Sequence, residues 1–207
     1  MRRQSELWGS CYVSSLIGAF LGWEFIRAAY LDGEWHHLGH DSFYHALRIL
    51  NAMDSPRGFY QFDKNIHAPE GSWLTWPWGY DYFMAKFVQV WQFFSPATDS
   101  MEIITHTAIY WIFINSALLL GITVVLTLPT SLATLVMLAF ALSPLTQSLH
   151  GVGIIDHHSV EYTFVLATVL AGLAWLKQPA SLARACALGI TLGLAPAFHT
   201  GLFILFF

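Results

Sequence analysis

Charge is what this chain has least of. Charged residues make up 11% of its 207 residues and hydrophobic ones 56%, against about 25% charged in soluble domains. Its apolar runs approach the roughly 20 residues that crossing a bilayer requires, so a membrane protein is expected. Basic tracts are lacking too, and a net charge of −4 argues against nucleic acid or an anionic surface as partner. Cysteine is nearly absent. Cys11 and Cys186 each fall inside an apolar run, which reads as small packing residues and not as a disulfide or metal pair; they say nothing of redox compartment. No small-residue cleavage pattern follows the first apolar run, although Arg2 and Arg3 precede it, so it reads as a retained span. Neither an internal repeat nor a low-complexity linker is visible.

What is there is long apolar runs with tryptophans such as Trp8, Trp23, Trp111 and Trp175 near their ends, as interfacial belts require. The expected fold is an all-α membrane protein, a multi-span helical bundle with a long first extracytoplasmic loop containing amphipathic helices. Spans are read at about 7–31, 101–128, 129–149, 159–176 and 182–207, with the outer loop at 32–94. Pro196 and His199 interrupt the last run, which is one kinked span or a short span turning into another. Arg2, Arg3, Lys177 and Arg184 orient the chain with a cytoplasmic start. Phe207 closes an apolar run with no polar tail, which suggests a fragment of a longer protein.

Under this topology the ionisable groups collect on one side. Asp41, His45, His67, Asp81, Glu102, His106, Asp156, His157, His158 and Glu161 fall in outer loops or at outer helix ends, while the spans' middles hold little more polar than Asn115. Pumps and transporters more often place such groups near the midplane, so chemistry at the outer surface is favoured. In Gly151-Val152-Gly153-Ile154-Ile155-Asp156-His157-His158, alternation along an extended turn lets Asp156 and His158 offer an oxygen and a nitrogen to one divalent ion. The plainer reading is a wet loop that caps the next helix. A second helix starting near Asp41 puts Asp41, His45 and Arg48 on one face, with Phe43, Leu47 and Leu50 on an apolar stripe. There Asp41 is either a helix cap or a carboxylate facing Asp156, and Arg48 either solvated or a phosphate holder. The third stretch, His67 to Gly71 and Trp76 to Asp81, has turns set by Pro and Gly, and aromatics that pack or stack on a sugar.

Asp-Ser-Phe-Tyr-His-Ala-Leu-Arg at 41–48, the Pro69 and Gly71 turn, Trp76-Pro77 with Asp81, and Gly153 through Glu161 resemble the N-terminal membrane part of oligosaccharyltransferase catalytic subunits, the archaeal form above all. These are C-type glycosyltransferases, and the resemblance is collinear from about Glu24 onward. It implies that Asp41 is the first-loop acid, helping to hold a metal and contacting the acceptor, and that Asp156 and His158 complete metal binding. His157 and Glu161 fit the archaeal-like pattern Asp-His-His-x-x-Glu and, with His45 and Arg48, are expected to bind substrate. The family's later acid-bearing loop and its C-terminal globular domain, with a Trp-Trp-Asp motif, would lie beyond Phe207.

The function so implied is inverting, Mn²⁺- or Mg²⁺-dependent transfer of a glycan from a polyprenyl-linked phosphate or pyrophosphate donor to a protein acceptor, on the extracytoplasmic face of the cell membrane. Asp41 and Asp156 are the expected catalytic residues, and the fragment alone is expected to be inactive. Two other readings stay open: a C-type enzyme moving a single sugar from polyprenyl phosphate to a lipid or polysaccharide, and a non-catalytic transporter or metal-binding membrane protein.

Overall fold

The computed structural model describes residues 2–55, 61–74 and 76–206; within the expected loop and last span, residues 56–60, Thr75 and Phe207 lie outside them. The chain opens with α1 (Arg2–Trp23) and one short turn, α2 (Ile26–Ala29), followed by a hairpin of β1 (Tyr30–Leu31) and β2 (Glu34–Trp35). Asp32 and Gly33 both take positive φ, 53° and 87°, the geometry of the tight primed turn that Asp-Gly favours. The helix over the expected first span therefore ends at Trp23, eight residues short of the expected Leu31. Apolar Phe25, Ile26, Ala28 and Ala29 hide that end from a hydropathy reading. Glu24 and Arg27 pair at 3.2 Å, as their spacing predicts.

Two helices follow in the loop region, α3 (His40–Asp54) and α4 (Gly79–Phe94), separated by a small antiparallel pair, β3 (Phe62–Asp63) and β4 (Ser72–Trp73). Gly39, not Asp41, occupies the cap position of α3, at φ 89° and ψ 156°, a conformation open to glycine and not to side-chain-bearing residues. The buried face of α3 is mixed: Ser42, His45 and Arg48 lie there beside Ala46, Ile49 and Ala52, while Phe43 and Leu47 are exposed. Polar side chains inside a helix pair must meet partners, and these do.

The bundle proper comprises α5 (Ser100–Val125), α6 (Thr130–Leu142), α7 (Pro144–His150), α8 (His158–Lys177) and α9 (Leu182–Phe198), ending in a 3₁₀ helix at Thr200–Phe206. Asp99 starts α5 by accepting hydrogen bonds from Met101 N–H at 2.7 Å and Glu102 N–H at 3.3 Å. Among the described residues α5 and α8 are each long and apolar enough to cross a membrane, and α6 with α7 would make a third span bent by 57°. The expected third span is thus broken. Pro144 has no N–H to give, and Ser143 before it is extended at φ −64° and ψ 129°. α9 is apolar but shorter, and α1 is polar over its first residues.

Packing decides what sits where. Leu7 and Cys11 of α1 are buried against Leu120 of α5 and Ala133 and Met137 of α6, whereas Cys186 on α9 is exposed and does not pack inside as expected. The largest cluster joins Ala46, Ile49 and Ala52 of α3 and Tyr80, Met84, Ala85 and Val88 of α4 to Ile103 and Ile104 of α5, Ile155 and Val160. It clamps the α3–α4 pair onto the ends of α5 and α8. Asn115 of α5, fully buried, donates to His150 Nε2 at 2.9 Å and to the Ser159 carbonyl at 3.2 Å, and accepts from Thr163 Oγ1 at 2.7 Å. Three helices are thereby pinned directly beneath the loop that carries Asp156.

Candidate functional site

The loop from Gly151 to His157 joins α7 to α8, and its backbone is tied from four sides. Val152 N–H donates to the Gly22 carbonyl ending α1 (3.1 Å), Gly153 N–H to the Thr105 carbonyl of α5 (2.8 Å), and Ile155 N–H to Ser42 Oγ of α3 (3.0 Å). The Gly153 carbonyl accepts from Leu38 N–H at 2.7 Å. Gly153 itself has φ +87°, and a Cβ there would stand 2.9 Å from Ala29 Cβ and 3.0 Å from Leu38 Cγ. Only glycine suits both demands.

Asp156 is delivered to the N-terminus of α8, where the helix dipole favours a carboxylate. Its Oδ1 lies 3.0 Å from His157 Nδ1 and 3.9 Å from His45 Nε2, and its Oδ2 lies 3.7 Å from His158 Nε2. Asp156 and His158 do face one another, though not by extended alternation: His157 has helical angles of −68° and −13°, and His158 already belongs to α8. His158 Nδ1 donates to Glu161 Oε2 at 2.7 Å. That bond fixes the tautomer and leaves Nε2 as a bare nitrogen toward Asp156.

Behind this face runs a buried polar chain. Arg48 Nη1 lies 3.0 Å from Asp81 Oδ2, Asp81 Oδ1 accepts from His45 Nδ1 at 2.6 Å, and His45 Nε2 is 2.9 Å from His157 Nδ1. His157 Nδ1 thus stands between His45 Nε2 at 2.9 Å and Asp156 Oδ1 at 3.0 Å. Burial first, then the neighbouring histidines and Arg48, push the His157 imidazole down to about 3, so it stays neutral. Neutral imidazole is the metal-binding form.

The expected site residues fall into three groups. Asp156, His157, His158, Glu161 and His45 come together. Arg48, expected on a phosphate, is 4% exposed and turns inward to Asp81 and to the Pro77 carbonyl at 3.3 Å; its charge is already matched. Asp41 lies exposed in the first turn of α3, one turn before His45 and next to the Ser42 that docks on Ile155. Among the described residues two groups bring three ligand atoms within 4.8 Å of one another, His45–Asp156–His157 and His157–Glu161–His199; Asp41 and His158 are in neither. Two residues here had no site role in the sequence reading, where Asp81 stood only among the outer ionisable groups and His199 only as an interruption of the last run. Asp81 was embedded in an aromatic stretch that reads as packing. His199 interrupts an apolar run, and a lone ionisable residue there was the signal that could have found it.

Fold and site together define a helical membrane domain that carries an acid–imidazole cluster at one end of its bundle. No family model matches the sequence, and no curated protein matches it. Among solved structures the fold is similar to the archaeal oligosaccharyltransferase AglB from Archaeoglobus fulgidus, solved in complex with an inhibitory peptide and a dolichol-phosphate. The TM-score is 0.74 at 17% identity, covering 96% of this chain and 24% of that one. The chain therefore spans about a quarter of that protein's length, and at this identity the likeness establishes the shared fold.

Proposed function

We propose that this chain is the membrane-embedded, cation-binding part of an oligosaccharyltransferase-like enzyme that transfers a glycan from a polyprenyl-linked phosphate or pyrophosphate donor to a protein acceptor. The observation that carries the reading is the meeting of Asp156 and His158 at 3.7 Å, on a fold shared with a protein solved with a peptide and a dolichol-phosphate. The donor set fits a divalent cation: a carboxylate beside a helix N-terminus and an imidazole oriented by Glu161. Asp156 and His158 would hold the ion, with Asp41 supplied from the exposed first turn of α3. Oxygen-rich ligation with one imidazole suits Mn²⁺ or Mg²⁺.

When bound, the ion supplies Lewis-acid stabilisation of the charge gathering on the leaving phosphate. The chain's own residues do the rest. Asp41 accepts a hydrogen bond from the acceptor's nucleophilic group, orienting it toward the sugar carbon opposite the phosphate. The carbon–oxygen bond to phosphate breaks with its electron pair leaving on the phosphate, inversion follows, and the acceptor's proton passes to Asp41 or to water. Asp81 and Arg48 keep His45 and His157 in register beneath Asp156. The active side is taken as extracytoplasmic, following the positive charges at the chain's other loops.

The test is transfer of glycan from a polyprenyl-pyrophosphate oligosaccharide to an acceptor peptide by the full-length protein in membranes. Transfer that needs Mn²⁺ or Mg²⁺ supports the reading. Transfer of a single sugar from polyprenyl phosphate to lipid, with no peptide product, would replace it with the other C-type activity. No transfer of either kind would leave a non-catalytic membrane protein.

A further inference from the structure

A second group of ligands lies beside the first and shares none of its metal-facing atoms. We propose that His157, Glu161 and His199 form a separate cation site, suited to a first-row divalent ion such as Mn²⁺ or Zn²⁺. One ligand atom from each lies within 4.8 Å of the other two. The residues come from three places: His157 from the loop before α8, Glu161 from its first turn, and His199 from the extended link between α9 and the 3₁₀ helix. His199 stacks on His157 with ring centroids 4.5 Å apart and an interplanar angle of 22°.

Two ring nitrogens are left with nothing to bind. His157 Nδ1 is engaged by His45 Nε2 at 2.9 Å and by Asp156 Oδ1 at 3.0 Å, which leaves Nε2 as the ring's unengaged nitrogen. That atom is buried without a hydrogen-bond partner, on a residue 8% exposed. His199 Nδ1 is likewise buried without one; it stands 3.3 Å from Glu161 Oε1 but outside hydrogen-bond geometry. A stranded buried acceptor costs about 1–3 kcal/mol, and proteins rarely keep two side by side without use. A cation would take both unpartnered nitrogens, each in its unprotonated form, together with the carboxylate. Two imidazoles and one carboxylate on one side of an ion leave its other positions open for water or a phosphate oxygen.

Glu161 joins the two sites. Its Oε2 holds the His158 ring for the first cation, and its Oε1 is the oxygen that faces His199. Two cations would offset more of the negative charge that gathers on a pyrophosphate leaving group than one, so a pyrophosphate-linked donor is the substrate class that would use both.

The inference goes beyond the proposed transferase activity and is tested apart from it. Full-length protein, stripped with chelator, is titrated with Mn²⁺ alone and followed by electron paramagnetic resonance, with nitrogen couplings read by pulsed methods. Wild type is expected to bind two ions. His199→Phe keeps the ring stack but has no nitrogen, and His199→Ala removes both; each is expected to lose one ion and part of the nitrogen coupling, while Asp156→Ala loses the other ion and keeps this one. Two ions bound with unchanged affinity and couplings by both His199 variants would overturn the second site. So would a single ion in wild type that Asp156→Ala abolishes, which leaves the first site standing. Absence of any Mn²⁺ binding removes both.

Discussion

Asp81 and His45 stand 2.6 Å apart, one on α4 and one on α3, in a position where neither reaches water. The other oxygen of Asp81 faces the equally buried Arg48. One carboxylate thereby answers a guanidinium and fixes a histidine tautomer. Removing it by Asp81→Ala strands the Arg48 charge in the interior, which is expected to cost roughly 3–5 kcal/mol. The double replacement Arg48→Met with Asp81→Leu should recover most of that loss, because a packed apolar pair replaces a buried ionic one. Denaturant unfolding in detergent measures both, and equal stability of Asp81→Ala and wild type would refute the assignment.

Asp156→Ala is expected to abolish glycan transfer by the full-length protein while leaving membrane insertion intact, since the carboxylate faces the site and the loop is anchored through the backbone of Val152, Gly153 and Ile155. Chelator should mimic the variant, and added Mn²⁺ should rescue wild type alone. Ordinary turnover by Asp156→Ala would end the metal reading.

The two Asp-Gly and Gly positions with positive φ make a controlled comparison. Gly33 has open space around an added Cβ, so Gly33→Ala is expected to cost only the backbone strain, about 1 kcal/mol. Gly153→Ala meets Ala29 and Leu38 as well and should cost about 1–3 kcal/mol more. It should also weaken Mn²⁺ binding, because the strain is released by moving the loop that carries Asp156. Equal effects of the two substitutions in unfolding and in Mn²⁺ titration would contradict this packing.

Asn115→Leu removes three hydrogen bonds shared among α5, α7 and α8. Each such bond inside a membrane bundle contributes roughly 0.6–2 kcal/mol; His150 Nε2 would lose its partner, while Thr163 Oγ1 keeps the Ser159 carbonyl at 3.1 Å. The expected signature is reduced thermal stability together with weaker cation binding, read on the same detergent-solubilised sample. A variant as stable as wild type would show that the network does not support the loop.

Much of this was legible in the chain. Scarce charge and long apolar runs identify a membrane bundle, and the crowding of acids and histidines near run ends locates the site. The boundaries were less legible where composition ran on past a break. Phe25, Ile26, Ala28 and Ala29 are apolar although α1 has ended at Trp23, and the run through Ser143-Pro144 stays apolar although the helix is bent there. Hydropathy reports transfer from water and is blind to where the backbone turns.

The sequence by itself determined that Asp156, His157 and His158 stand together, because neighbours in a short turn cannot part, and that lone ionisable groups in so apolar a chain must be matched or functional. Only the tertiary structure decided the matches. It turned Arg48 inward to Asp81, set His45 Nδ1 against the same carboxylate, and brought His199 from the far end of α9 against His157. Which distant groups meet is set by helix packing and by the four backbone bonds holding the Gly151–His157 loop, and those depend on several elements at once. No local pattern in the chain encodes such a meeting.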